Sequence, residues 1–190
     1  MDRFASFQVS ICGVDDLPGL SAAGVTHVLS LLNPGWGEPE HFRAFAPHRR
    51  LDLRFHDIVD PLPGLRRPGR AEVAAVLEFG RGLADATADA HLLVHCEKGL
   101  SRSSACLALI LAQARHDLPA DRVLAEVVRL RPRAWPNLRI VELGDEFLRR
   151  GGTLVAAAIE CYRARLADQP RLADGMIEMG RARELHLARG

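Results

Sequence analysis

The chain has 190 residues, of which 48% are hydrophobic and 26% are charged, and its formal net charge is +1. This length and composition fit one domain with a single hydrophobic core, and they exclude a disordered or fibrous chain. The nearly neutral charge gives no general reason to expect nucleic acid or an anionic membrane as a partner. No apolar run is long enough to span a membrane, and the first residues lack a secretion signal, so we expect a cytoplasmic protein.

The cysteines and histidines give no sign of a structural bridge or a metal site. Four cysteines are spread along the chain without a C-x-x-C pair, and the eight histidines show no H-x-x-x-H or H-E-x-x-H spacing. We therefore expect reduced thiols, no metal and no cofactor.

Short apolar runs rich in β-branched residues predict four strands, over 7–11, 26–32, 51–56 and 90–96. A helical pattern over 71–84 separates the last two. This alternation predicts an α/β fold, with a mostly parallel central sheet of four to five strands flanked by helices on both faces. Functional residues are then expected beyond the carboxyl ends of the strands.

The second half of the chain is predicted to be mostly helical. From Ser103 the sequence is apolar nearly all round, which is typical of a centrally buried helix. Two further amphipathic helices follow, the second capped by Asn137, and then a helix capped by Thr153. The remaining tail is a weaker helical pattern that Gly175 and Gly180 interrupt.

The stretch "HCEKGLSRSS" lies between the fourth strand and the buried helix. A helix that starts there directs unpaired backbone N–H groups and its positive dipole end towards the loop, which favours an anion. The same field stabilises a thiolate, so Cys96 is a candidate nucleophile. Arg102 can complete a ring around a tetrahedral anion with two parallel hydrogen bonds, and Gly99 permits the tight curl.

The other residues of this stretch have supporting roles in the same hypothesis. Ser103 can donate a hydrogen bond to the cysteine sulfur and ease its departure, and His95 can orient the thiolate by a hydrogen bond to the backbone. Backbone N–H groups of the loop are expected to hold the anion, while the side chains point away from it. The loop residues concerned are Glu97, Lys98, Gly99, Leu100 and Ser101.

The pattern H-C-x-x-G-x-x-R-S resembles the signature of the protein tyrosine phosphatases, in particular the compact dual-specificity branch with its bacterial members. "GVTHVLSLL" is similar to a strand of that family, and "RPRAWPNLRIVELGDEFL" is similar to one of its helices. The resemblance covers roughly residues 6–149. It implies a catalytic domain over residues 1–150, with residues 151–190 as a helical extension that packs on this domain or trails from it.

The resemblance also implies a mechanism through a cysteinyl-phosphate intermediate, in which an aspartic acid protonates the leaving oxygen. The loop after the third predicted strand offers Asp57 and Asp60. Asp57 directly follows the strand, as the acid of that family does, and is our first choice. The loop is longer than in most compact members, so Asp60 remains the alternative.

The resemblance implies a metal-independent phosphomonoesterase that acts on phosphotyrosine, and also on phosphoserine or phosphothreonine, in proteins. Phosphate or sulfate should then bind in the active site. An alternative keeps the chemistry but takes a phosphoinositide, an inositol phosphate or a nucleotide. Lipid-directed relatives tend to carry two lysines in the loop, whereas Lys98 is the only lysine here. A third alternative is a phosphate-binding module without turnover.

Overall fold

The structure is a computed structural model that describes residues 4–84 and 89–190. The described residues form a four-stranded parallel sheet in the order β1-β4-β2-β3. The strands are β1 (Gln8–Cys12), β2 (His27–Leu32), β3 (Arg49–Arg54) and β4 (His91–Cys96). The prediction of an α/β fold with a parallel sheet is therefore confirmed.

The third strand begins and ends two residues earlier than predicted. Arg49 and Arg50 pair with β2, although their charge made them look like loop residues. β3 is an edge strand, so charged side chains on it can reach water. Phe55, which the sequence placed inside the strand, still donates its N–H to Leu32 O at 3.0 Å, and the chain then leaves the sheet.

Six α-helices occur in the described part of the chain: α1 (Arg70–Ala84), α2 (Arg102–Ala114), α3 (Ala120–Leu130), α4 (Leu138–Phe147), α5 (Thr153–Asp168) and α6 (Ala182–Arg189). Short 3₁₀ helices span Val14–Leu20, Glu40–Ala44 and Pro170–Ala173. None of the helices among these residues is both long and apolar enough to cross a bilayer.

The two faces of the sheet are covered differently. On one face, Leu92 and Val94 of β4 pack into a large hydrophobic cluster to which all of these α-helices contribute. Helix α2 lies at its centre and is buried from Arg102 to Ala112, as its uninterrupted apolar sequence predicts. On the other face, Leu93 belongs to a smaller cluster beneath the 3₁₀ helices Val14–Leu20 and Glu40–Ala44.

The helix starts confirm one predicted cap and correct another. The side chain of Asn137 accepts a hydrogen bond from Ile140 N at 3.2 Å, so it caps α4 as predicted. Thr153 does not cap α5: it is the first helical residue, and its hydroxyl donates to Arg150 O. The carboxylate of Asp145, nine residues earlier than Leu154, accepts from Leu154 N at 2.8 Å and satisfies this helix start from another element.

Residues beyond 150 pack on the same core as the rest of the chain. The Tyr162 ring of α5 stacks on Trp135 with ring centroids 4.7 Å apart, and Leu185 of α6 is buried in the large cluster. Gly175 and Gly180 both have positive φ angles in the turns between Pro170–Ala173 and α6, where the sequence predicted interruptions.

Candidate active site

The stretch from Cys96 to Arg102, which we call the Cys96 loop, lies where the sequence predicted it. Cys96 is the last residue of β4 and Arg102 is the first residue of α2. The loop therefore stands at the carboxyl edge of the sheet and at the N-terminus of the central helix. Both features favour an anion at this position.

Gly99 makes the curl of this loop possible. Its φ is +69°, and a Cβ atom placed on it would lie 2.4 Å from Cys12 C and 2.5 Å from Gly13 N. Because these neighbours are backbone atoms, no side chain can move aside to make room. The left-handed conformation and the close approach to β1 both require glycine here.

The carbonyl groups of the Cys96 loop are held outward by the surrounding protein. Four of them accept hydrogen bonds: Glu97 O from Val14 N (3.0 Å), Lys98 O from Arg131 Nη2 (2.9 Å), Leu100 O from Trp135 N (2.8 Å) and Ser101 O from Asn137 N (3.3 Å). The backbone N–H groups of residues 97–101 have no hydrogen-bond partner among the described residues. Peptide groups whose carbonyls are fixed outward present their N–H groups to the centre of the curl, which is the arrangement of an anion-binding nest.

Arg102 is held rigidly beside these N–H groups. Only 2% of its surface is exposed, and its Nη1 donates to Asn33 Oδ1 at 2.9 Å and to Phe55 O at 2.7 Å. Its Nε is buried and has no partner within the described part of the chain. A buried guanidinium that keeps a donor unpaired is suited to an anion that supplies the missing acceptor.

Cys96 and Ser103 lie together as expected. Cys96 Sγ is 3.2 Å from Ser103 Oγ, and Cys96 borders a cavity that Arg102 also lines. Cys106 is buried one turn further into α2, and burial raises the pKa of its thiol well above the usual range. Burial likewise raises the pKa of Cys12 to about 12. Both thiols remain protonated and pack as small apolar side chains.

The orienting role of His95 stays a prediction. Its ring lies on the opposite face of the sheet from the α-helices, 5.3 Å from the ring of Phe42, and a contact with the Cys96 backbone acts to raise its pKa against the effect of burial. Burial lowers the pKa of His95 to about 4, so the imidazole is neutral at physiological pH. It fills the core beneath the Cys96 loop.

The two candidate acids differ in position. Asp57 follows β3 and lines the same cavity as Cys96 and Arg102. Asp60 is absent from the described lining of this cavity, and its carboxylate lies 3.9 Å from Arg183 Nε at the surface. Of the two carboxyl groups, the one that the sequence favoured is the one beside the nucleophile.

The Asp57 carboxylate is fixed through one of its oxygens. Oδ1 accepts from Ser101 Oγ at 2.7 Å and from Asn137 Nδ2 at 2.8 Å, and it lies 3.5 Å from Arg181 Nη1. Desolvation raises the pKa of Asp57, but the charges of Arg181 and Arg102 and these hydrogen bonds outweigh it and hold the pKa below its ordinary value.

Lys98 points away from the loop centre. Its side chain is 68% exposed, and its Nζ lies 3.9 Å from Asp15 Oδ2. It therefore contributes only its backbone to the curl, as expected for the loop side chains.

The cavity beside Cys96 has a volume of about 530 Å³. Residues of the Cys96 loop line it together with apolar side chains from two other segments. Ile58, Leu62 and Leu65 come from the loop after β3, and Leu172, Met176 and Met179 come from the last part of the chain. The site thus combines a polar loop with an apolar lining. Arg133 and Arg165 also line it, and Arg165 Nη1 lies 3.2 Å from Asp168 Oδ2.

Arg181, which the sequence did not suggest, reaches this site from the last part of the chain, and Glu184 holds it there. Arg181 donates from Nη1 to Ser101 Oγ at 2.8 Å, and its Nε and Nη2 donate to the Glu184 carboxylate at 2.6 Å and 2.8 Å. Glu184 is completely buried and also accepts from Trp135 Nε1 and Leu138 N. We call Arg181 and Glu184 the C-terminal anchor.

Asn33, the partner of Arg102, was also overlooked, although its position directly after β2 could have indicated it. Nothing in the sequence around Arg181 distinguishes it from the other arginines. No group of three or more metal-ligating side chains is found in residues 4–84 and 89–190.

Comparison with known proteins shows the fold. No protein-family model matches the sequence, and no curated protein matches it. Among solved structures, Tk-PTP in the active form is 20% identical, with 79% of this chain and 99% of that chain covered and a TM-score of 0.55. Human DUSP28 is 18% identical, with 79% and 96% covered and a TM-score of 0.57. PTPMT1 in complex with PI(5)P is 18% identical, with 83% and 97% covered and a TM-score of 0.53. The chain has the fold of the tyrosine and dual-specificity phosphatases.

Proposed function

We propose that the protein is a metal-independent phosphomonoesterase of the cysteine-dependent kind and that it acts on phosphotyrosine in proteins. The observation that carries the proposal is the combination of a nucleophile and unpaired donors at one point. Cys96 lies at the entrance of a ring of free backbone N–H groups, and the buried Arg102 keeps its Nε without a partner beside them. A phosphoryl group supplies the acceptors that this ring lacks.

In the first step, the Cys96 thiolate attacks phosphorus and the phosphorus–oxygen bond of the ester breaks. The leaving oxygen takes the bonding electron pair and receives a proton from Asp57, while Arg102 and the loop N–H groups hold the other three oxygens. In the second step, water attacks phosphorus and gives a proton to Asp57, and the sulfur–phosphorus bond breaks. Ser103 donates a hydrogen bond to the departing sulfur, to which it lies close.

The cavity supports an aromatic ester as substrate. Ile58 and Met179 are among the apolar side chains that line the cavity together with Cys96, and they can pack against a ring attached to the phosphoryl oxygen. Whether phosphoserine and phosphothreonine are also accepted depends on how far their shorter side chains reach into this cavity.

A second candidate substrate is a phosphoinositide, an inositol phosphate or a nucleotide. One observation favours it: Arg133 borders the cavity outside the Cys96 loop, where it can bind a second anionic group. The solved structure of PTPMT1 contains a phosphoinositide, PI(5)P. The loop itself contributes only Lys98, which is turned towards Asp15.

The test is release of phosphate from para-nitrophenyl phosphate in the presence of EDTA, by the wild type and by Cys96→Ser. We expect the wild type to be active and the variant to lose at least about 10⁴-fold in kcat, because the attacking thiolate is gone. Cys106→Ser is the matched control and should retain activity, since that thiol is buried in α2.

Each result has a distinct meaning. Metal dependence, or undiminished activity of Cys96→Ser, would exclude the proposed mechanism. A wild type that binds phosphate without turnover would favour the binding module. A comparison of phosphotyrosyl peptides, phosphoseryl peptides and phosphoinositides then decides the substrate class.

A further inference from the structure

The end of the chain takes part in the candidate active site. Arg181 lies 80 residues after Ser101, yet its Nη1 donates to the Ser101 hydroxyl at 2.8 Å and lies 3.5 Å from Asp57 Oδ1. The backbone adds to this contact, because Gly180 O accepts from Val59 N and Asp60 N, both at 3.0 Å. The segment just before α6 therefore holds the loop that carries Asp57.

The hydrogen bonds fix the direction of each donor. A guanidinium group can only donate, so the Ser101 oxygen accepts from Arg181 and must direct its own proton to Asp57 Oδ1. Asn137 is fixed in the same way: its Oδ1 accepts from Ile140 N, so its Nδ2 donates to Asp57. Within residues 4–84 and 89–190, the donors that reach this carboxylate converge on one oxygen, Oδ1.

The other oxygen of Asp57, Oδ2, is free to carry the proton that is transferred. Oδ2 accepts no hydrogen bond from the described residues, and the Asp57 side chain is 28% exposed where it borders the cavity. A proton placed on Oδ1 would meet three donors, whereas a proton on Oδ2 meets none. A transferable proton is therefore favoured on Oδ2.

We propose that Arg181 is a positioning residue for Asp57: acting with the Ser101 hydroxyl, it holds Oδ1 and leaves Oδ2 to exchange the proton with the substrate. This inference rests on the proposed function. It assigns to the C-terminal segment a role in the reaction as well as in the core.

Glu184 keeps Arg181 in place. Its carboxylate accepts two hydrogen bonds from the guanidinium, one from the Trp135 indole and one from the first N–H of α4 at Leu138. Such a buried ion pair is strongly directional, and loss of either partner leaves an uncompensated charge. The indole and backbone donors fix Glu184, and Glu184 in turn leaves Nη1 of Arg181 directed at the active site.

The charges around Asp57 determine the pH dependence of a variant. Arg181 on the C-terminal segment and Arg102 on α2 lower the pKa of Asp57, and the Ser101 and Asn137 hydrogen bonds lower it further. The surrounding elements carry further titratable or charged groups: Cys96, Glu97, Lys98, Cys106, Arg133, Arg165, Glu178, Arg183, Glu184, His56 and Asp60. Removal of Arg181 takes away a cation, so the pKa of Asp57 should rise.

The test compares the wild type with Arg181→Gln on two esters. Phenyl phosphate has a poor leaving group that needs a proton, and para-nitrophenyl phosphate has a good one. We expect kcat/KM to fall about tenfold or more on phenyl phosphate and only about twofold on the activated ester, because misplaced acid catalysis affects the poor leaving group. The descending limb of the pH profile should move to higher pH.

Three further variants keep the test decisive if Arg181→Gln is poorly folded. Ser101→Ala leaves the C-terminal anchor intact and should show the same dependence on the leaving group. Arg181→Lys retains the charge and should recover part of the loss. Arg163→Gln is the matched control: it removes hydrogen bonds from α5 to the carbonyl groups of Leu187 and Ala188 at the end of α6, but it does not border the cavity, and it should leave the ratio of the two esters unchanged.

An NMR titration of the Asp57 carboxyl carbon provides a readout without turnover. A higher pKa in Arg181→Gln supports the positioning role even if the wild type hydrolyses no phosphoester, in which case only the proposed function fails. Equal losses on both esters together with an unchanged Asp57 titration would overturn the inference and leave Arg181 as a core ion pair.

Discussion

The Cys96 loop and the C-terminal anchor meet at the same cavity, which Arg181 of the anchor lines, but they are built in different ways. The loop takes its proposed nucleophile, its unpaired N–H groups and its guanidinium from seven consecutive residues, Cys96 to Arg102. The anchor joins residues that are 80 positions apart in the case of Ser101 and Arg181. The geometry of the Cys96 loop is local in sequence, whereas the anchor forms only because distant segments pack together.

The difference in construction corresponds to a difference in chemistry. The backbone N–H groups of the Cys96 loop and the Arg102 guanidinium offer donors to an anion, so their loss should affect every phosphoester alike. In the proposed mechanism the anchor and the Ser101 hydroxyl act on the carboxyl group that exchanges a proton, so their loss should depend on the leaving group. Substitutions in the two regions should therefore give different patterns on good and poor leaving groups.

The largest effect is expected from Arg102→Lys in the Cys96 loop. A lysine cannot replace the planar guanidinium that is held by Asn33 and Phe55 while its Nε stays unpaired. We expect kcat/KM to fall by about 10³-fold or more on both phenyl and para-nitrophenyl phosphate, since an arginine that stabilises a transferring phosphoryl group is worth about that much. Steady-state kinetics on the two esters measures it.

Arg131→Lys is the control for that substitution. Arg131 supports the loop from outside through Lys98 O, and it should lose less than about tenfold. A mild effect of Arg102→Lys, or an effect confined to the poor leaving group, would contradict the expectation that loss of an anion-binding group slows both esters alike.

A comparison of Asp57→Asn with Asp60→Asn tests whether loss of the proposed acid depends on the leaving group. Asparagine preserves the shape of Asp57 but cannot deliver a proton, so we expect a loss of about 10²–10⁴-fold in kcat/KM on phenyl phosphate and a much smaller loss on the activated ester. Asp60→Asn should be nearly neutral, because that carboxylate faces Arg183. If Asp60→Asn alone shows the selective loss, the choice of Asp57 is wrong.

A smaller effect should follow from Gly99→Ala, which tests the shape of the Cys96 loop. The added methyl group would collide with the backbone of Cys12 and Gly13, and the loop N–H groups would shift. We expect a loss of about 10²-fold on both esters, as for a displacement of about 1 Å in an active site.

Gly151→Ala separates the two reasons for a glycine at position 99. Gly151 also has a positive φ, +62°, but nothing lies within 4 Å of the position that an added methyl group would take there. The substitution should lower the melting temperature through backbone strain alone and leave kcat/KM unchanged. Equal activity losses in both variants would show that strain, rather than the close approach of β1, accounts for the Gly99 effect.

The amino-acid sequence was enough to predict the α/β class, the parallel strands and the position of the Cys96 loop. Hydrophobic periodicity predicts the strands and helices. The loop between β4 and α2 is also predictable, because consecutive residues determine its geometry. Asn137 shows the limit of this reasoning. Its role as the cap of α4 follows from its place before a helix, but its hydrogen bond to Asp57 joins residues 80 positions apart.

Only the tertiary structure brought Arg181, held by Glu184, to the candidate active site and showed that Asp57, rather than Asp60, borders the cavity with Cys96. It also replaced Thr153 by Asp145 as the group that satisfies the start of α5. The physical reason is the same in each case. Local sequence patterns show which residues are apolar and which can cap a helix. The partner of a buried charge is different, because it can come from any element that packing brings within hydrogen-bond distance, and no local pattern identifies that element.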